Sequence, residues 1–191
     1  MKNSRTRRWI DSQEATIEIT VSNDPSGRPL VTGPFAEAPD VSLAHTGSLA
    51  AALAGAPGHP PGVGIDIEQI TDRDDRTVAA ILTDTERGLL DALCSSDPAR
   101  YSWVTRFWAA KEAIAKAAGT GLGGRPHRFA VERVDGNRLL VAAGEGVPSR
   151  WVQTEAGNEP EPYAVAWTPL KAAGLAPRRY QRTQEGQPDA T

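Results

Sequence analysis

The acidic pair Asp66 and Glu68, set in Gly62-Val63-Gly64-Ile65-Asp66-Ile67-Glu68, has a spacing that could do chemistry. Side chains of an extended strand alternate faces, so both carboxylates share one side with Gly62 and Gly64, while Val63, Ile65 and Ile67 take the other. The glycines clear space beside the acids for another backbone, a metal or a ligand. The plainer alternative is a half-buried strand whose polar face is simply solvated.

A second cluster lies downstream on a candidate helix. Trp103, Phe107, Ala110, Ile114 and Ala117 recur at steps of four and three and form its core-facing stripe. Trp108, Glu112 and Lys116, each four apart, fall on the opposite face. A tryptophan left in water there would forgo burial worth a few kcal/mol, so this face is expected to line a pocket or an interface. Glu112 and Lys116 alone would read as a surface pair worth a few tenths of a kcal/mol. Both clusters in one chain favour a shared site.

The elements that must position these residues follow from periodicity and breakers. Strands are expected at Thr16 to Val21, Asp40 to Ala44 and Leu49 to Ala54, with a turn at Asn23 to Gly27. The Pro- and Gly-rich run Gly55 to Gly62 connects to the Asp66 strand. Helices are expected at Asp74 to Leu82, Asp84 to Leu93 and Pro98 to Ala118, the second opened by a capping box of Thr83 and Glu86. After the breaker Gly119 to Gly124 come strands at Arg128 to Val134, Arg138 to Ala142 and Tyr163 to Thr168, with a polar loop before the last. Strands, then helices, then strands argue for an α+β fold with antiparallel sheet and a packed long helix.

The chain has 191 residues, and Lys+Arg 21 against Asp+Glu 24 gives a net charge of −3. No global field attracts nucleic acid or an anionic membrane, so neither is an expected partner, and a polyanion must be held by local arginines and lysines. Cys94 is the sole cysteine, excluding an internal disulfide and fitting a cytoplasmic location. The most apolar run, Leu49 to Gly55, is too short to span a bilayer. Met1 to Arg8 and a tail over residues 171–191 are expected to be loose.

Together, G-V-G-I-D-I-E and the downstream F-W-A-A-K-E-A-I-A-K resemble the paired signature of the 4'-phosphopantetheinyl transferase superfamily, the D-x-E form pointing to its Sfp-type branch. Gly27-Arg28-Pro29 resembles that branch's G-[KR]-P element, Ser42 to Gly47 its N-x-S-H-S-G element, and Gly119 to Leu122 with Phe129 continue the likeness. The resemblance implies two pseudo-symmetric lobes, here a shortened N-terminal lobe over 1–61 and a C-terminal lobe over 62–170 carrying the metal and transferase motifs. It implies transfer of the phosphopantetheine arm of coenzyme A, the co-substrate, to a serine of an acyl or peptidyl carrier protein, releasing 3',5'-ADP.

Under that resemblance Asp66, Glu68 and Glu112 form a hard oxygen site of the kind Mg2+ prefers. Lys116 lies near the transferred group, Lys111 near the phosphates, and Glu112 accepts the serine proton. Arg28, His45 and Thr46 contact coenzyme A phosphates, His45 at the 3'-phosphate. His59 and His127 receive no role, and Glu86 fits either the family's helix-start element or ordinary capping. Ala44 stands where the pattern has serine. Arg5, Arg7 and Arg8 supply early positive charge without an alignment to the family's basic residues. A monomer is expected, with self-association as one way to complete the short lobe, and a stand-alone enzyme or a domain of a polyketide or peptide synthase both fit. The rival readings are a Mg2+-dependent hydrolase of the coenzyme A pyrophosphate and a silent carrier-binding module.

Overall fold

The computed structural model describes residues 5–10, 16–58, 62–94 and 96–170, with the backbone alone for 5–10, 16 and 17. The expected tail over 171–191, His59 and the side chains of Arg5, Arg7 and Arg8 lie outside the described residues. Ten strands and three α-helices are described: β1 Arg5–Ile10, β2 Thr16–Asn23, β3 Pro29–Thr32, β4 Asp40–Thr46, β5 Leu49–Gly55, β6 Ile65–Gln69, α1 Asp75–Ile81, α2 Asp84–Leu93, α3 Asp97–Ala118, β7 Val131–Asp135, β8 Arg138–Val141, β9 Arg150–Gly157 and β10 Tyr163–Trp167. All pairings are antiparallel: β1-β2-β3, the hairpin β4-β5, and a five-stranded sheet in the order β6-β10-β9-β8-β7. The mixed fold with antiparallel sheets and one long helix is as the sequence predicts.

Three strands escape the sequence pattern. β9 occupies a stretch read as polar loop, yet it pairs with both β10 and β8 and buries Val152 and Thr154. Beyond Trp151 its remaining residues are polar or small, and its other face is only partly covered, which blurs the alternation. β3 is four residues long and opens on Pro29, and β1 carries three arginines, so neither has the apolar period of a strand. The helices fall where capping and periodicity place them. Asp74 caps α1 through the Thr77 amide, and the box at Thr83 and Glu86 is formed in both directions.

Helix α3 lies across β6, β10, β9 and β8. Phe107, Ala110, Ile114 and Ala117 are buried as the stripe predicts, and Trp103 packs edge-on to Phe107 with ring centroids 6.1 Å apart. Arg106 fixes the helix on the sheet, donating from Nε to Thr154 Oγ1 at 3.0 Å and from Nη2 to Asn137 Oδ1 at 2.6 Å, beneath the Trp103 ring. The helix ends at Gly119, whose φ of 71° lets its amide reach back to Ala115 and Lys116.

The segment entering β6 touches α3 backbone to backbone. A Cβ on Gly64 would overlap the carbonyl oxygen of Ala113 and stand 2.9 Å from the Ala117 amide nitrogen, and one on Gly62 would overlap the Ala117 carbonyl. The glycines therefore clear room for a helix backbone. Thr168 closes the other side, its Oγ1 accepting from the Gly64 amide at 3.0 Å. Because neither backbone can give way without breaking its own ladder, Gly64→Ala is expected to cost about 3 kcal/mol or more in urea unfolding. Wild-type stability in that variant would contradict the packing described.

Candidate active site

Strand β6 and helix α3 run past one another so that the acidic face of the strand meets the Trp108, Glu112 and Lys116 face of the helix. Lys116 Nζ donates to Asp66 Oδ1 at 2.7 Å, to the Ile65 carbonyl at 3.2 Å and to the Leu43 carbonyl at 3.4 Å. Trp108 Nε1 donates to Glu68 Oε1 at 3.2 Å, and Arg73 stands 3.9 Å from Glu68 Oε2. The face predicted from helical spacing thus lines a polar site, and the tryptophan is there to donate a hydrogen bond as well as to fill space.

Asp66 is only 5% exposed. Burial raises its carboxyl from 3.8 to about 6; Lys116 opposes the shift, and the charges of Glu68 and Glu112 add to it. Glu112 is raised chiefly by burial as well, with Lys116 lowering it and Glu68 raising it. The three carboxylates therefore share one electrostatic environment. Asp66 Oδ2 is buried with no hydrogen-bond partner among the described residues. Yet among the described residues no three acidic, histidine or cysteine side chains form a ready-made metal cage. Lys116 engages one oxygen of Asp66, and Trp108 one oxygen of Glu68.

On the other side of Lys116 opens a cleft of about 210 Å³, lined among others by Ser26, Arg28, Ser42, Leu43 and Gly119. The β2-β3 turn that delivers Arg28 is built on Asp24, whose Oδ1 accepts from the amides of Ser26 and Arg28 at 2.8 and 3.0 Å. Arg28 extends past Gly62 and Gly119 at the end of α3, with Asp40 at 3.9 Å. Ser42 Oγ accepts from the Ile65 amide at 3.0 Å, tying β4 to the strand that carries Asp66. His45 follows Leu43 on the exposed face of β4 and pairs across to Ala50, while Thr46 is half-buried at the strand's end. Neither is among the residues lining the cleft.

Lys111 is a correction. It is fully buried, and Nζ donates to Glu86 Oε2 at 2.9 Å, the Ile81 carbonyl at 2.7 Å and the Pro126 carbonyl at 3.3 Å. All three of its N–H groups are used inside the core, so it has none left for a phosphate. The helical wheel explains why: Lys111 sits one position before Glu112, turned toward α2 and the short 3-10 helix Pro126–Phe129. Glu86 is correspondingly more than a cap, since its Oε1 also accepts from the Val131 amide at 2.8 Å. His127 is exposed in that 3-10 helix. Arg73 was missed by sequence reasoning; it lies in a charged run, Asp72-Arg73-Asp74, with no period to single it out.

The raised carboxyl of Asp66 has a stability consequence. Its folded value of about 6 exceeds the ordinary 3.8, so the contribution is fully favourable below about pH 4 and is lost as pH rises through 6. In chelator, Asp66→Asn is expected to unfold at higher urea than wild type at pH 7.5, by up to roughly 3 kcal/mol, the advantage shrinking toward pH 4. A variant less stable than wild type at pH 7.5 would show that the Lys116 contact outweighs the burial cost.

The family model described as 4'-phosphopantetheinyl transferase superfamily matches residues 62–168, from the glycine entering β6 to the threonine that closes on it. A holo-[acyl-carrier-protein] synthase of Oceanobacillus iheyensis is 40% identical over 68 residues, which cover 32% of this chain and 56% of that protein. The chain thus spans about half the length of the curated relative it matches. With the family model covering more than half the chain and bracketing both the acidic strand and the helix that faces it, the chain belongs to the 4'-phosphopantetheinyl transferase superfamily.

Proposed function

We propose that this protein transfers the 4'-phosphopantetheine group of coenzyme A to a serine hydroxyl of an acyl or peptidyl carrier protein, releasing 3',5'-ADP, in the manner of the Sfp-type branch. The observation that carries the reading is the placement of Asp66, Glu68, Glu112 and Lys116 on two facing elements beside a cleft edged by Arg28. The relative named a holo-[acyl-carrier-protein] synthase supports it.

The donor set suits Mg2+: the acids offer hard oxygens, and one of them, Asp66 Oδ2, is buried without a partner among the described residues. Asp66, Glu68 and Glu112 would hold the ion. Bound there, it would neutralise developing charge on the pyrophosphate. The protein's own residues supply positioning. Arg28 offers a forked, permanently charged group for a phosphate, held by the Asp24 turn at the cleft wall. Lys116 puts a positive charge at the boundary between cleft and carboxylates. His45 and Thr46, two and three residues along β4 from Leu43, extend the phosphate contacts beyond the cleft, and His45 meets the 3'-phosphate.

Glu112 is the base. Without a cation, burial raises its half-buried carboxyl above the ordinary carboxylate range. It takes the proton of the serine hydroxyl as that oxygen attacks the β-phosphorus of the coenzyme A pyrophosphate. The bond to the bridging oxygen then breaks, and 3',5'-ADP leaves. The protein acts as a stand-alone enzyme or as a domain of a polyketide or peptide synthase, in the cytoplasm and as a monomer.

Incubation with apo carrier, coenzyme A and Mg2+, followed by intact mass of the carrier, tests this. A carrier heavier by one phosphopantetheine is the expected product, and Glu112→Gln should slow its formation roughly 100-fold or more without loss of fold. Free phosphopantetheine with unchanged carrier would replace transfer by hydrolysis, and neither product would leave a binding module.

A further inference from the structure

Lys116 borders the cleft and is also tied to the strands beside it. Its ammonium has three N–H donors, and the three acceptors it meets belong to two strands: Asp66 Oδ1 at 2.7 Å and the Ile65 carbonyl at 3.2 Å on β6, and the Leu43 carbonyl at 3.4 Å on β4. Two of these are backbone groups, so the strand framework fixes where the ammonium sits. The ammonium in turn fixes one oxygen of Asp66. The other oxygen of the same carboxylate, in a residue 5% exposed, is buried with no partner among the described residues.

A buried carboxylate oxygen without a donor costs on the order of 1–3 kcal/mol, and such a group is normally turned until it finds one. Here it cannot turn, because Oδ1 is held by the lysine. Glu68 is arranged in parallel fashion, one oxygen accepting from Trp108 Nε1 at 3.2 Å. Each acid of β6 is thus steered by a nitrogen donor from α3.

We infer that Lys116 is a positioning residue for Asp66, engaging Oδ1 so that Oδ2 is kept open to a divalent cation. The inference rests on the reading of a cation-dependent transferase given above. It makes an unusual statement of sign. Removing a positive charge from beside a cation site strengthens binding by Coulomb's law. Loss of an orienting partner weakens metal affinity, by 10- to 100-fold for typical outer partners. If Lys116 merely balances charge, its removal tightens the site; if it positions Asp66, its removal loosens it.

Titration of the full chain with Mn2+, read by the loss of the free-ion electron paramagnetic resonance signal and without coenzyme A, separates these. Wild type is expected to bind, Asp66→Asn to lose binding, and Lys116→Met to bind about 10-fold more weakly with an unchanged circular dichroism spectrum. Lys116→Arg, which keeps a donor for Oδ1, should recover part of the loss. Lys116→Gln gives the same readout should the Met variant fail to fold. Wild-type or tighter Mn2+ affinity in both neutral variants would overturn the inference while leaving the cation itself in place. If 3',5'-ADP binding alone fell, the lysine would belong to the nucleotide, and the inference would fall too. A wild-type protein that binds no Mn2+, with or without coenzyme A, removes the cation from the proposed function and the inference with it.

Discussion

Everything at the site depends on one steric fact: a strand and a helix approach to backbone contact because two glycines permit it. Gly62 and Gly64 lie where any side chain would strike the carbonyls of Ala117 and Ala113. The close approach brings the acids of β6 within reach of Trp108 and Lys116. Around it the molecule is strongly fixed. Arg106 fastens the middle of α3 to β9, the buried Lys111–Glu86 pair fastens it to α2, and Thr168 secures the glycine segment from behind.

The two lysines of the helix motif show how one residue of helical phase separates structure from chemistry. Lys111 and Lys116 both donate to a carboxylate and to backbone carbonyls. Lys111 does so in a sealed core where every polar atom is satisfied, which is the only way such a buried pair is tolerated. Lys116 does so at the edge of an open cleft, and its partner Asp66 keeps an oxygen without a partner among the described residues. The second arrangement is the less stable of the two. Burial lifts the Asp66 carboxyl to about 6, a cost the fold bears at neutral pH. Unsatisfied charge of this kind marks a place shaped for something that binds.

Much of this was legible in the residues. Alternation along β6 and steps of four along α3 put the right groups on the right faces, and the Thr83 box and the Gly119 stop set two helix ends. What was not legible has physical causes. β9 was hidden because one of its faces is half covered, so Gln153 and Glu155 interrupt an apolar run. Lys111 was misplaced because a motif fixes spacing but not which neighbour a side chain meets; only α2 docking beside α3 decides that Glu86 claims it. Arg73 was missed because its role is purely tertiary. The lysine and tryptophan contacts to the β6 acids were likewise not legible, because they depend on how α3 docks against the strand.

The most direct test of the account is a crystal structure of the protein with Mn2+ and coenzyme A, read by anomalous scattering. The account predicts one strong peak within about 2.0–2.2 Å of carboxylate oxygens from both β6 and α3, Asp66 Oδ2 among them. A peak bound by one element alone, or none beside Asp66 with the nucleotide in place, would contradict it.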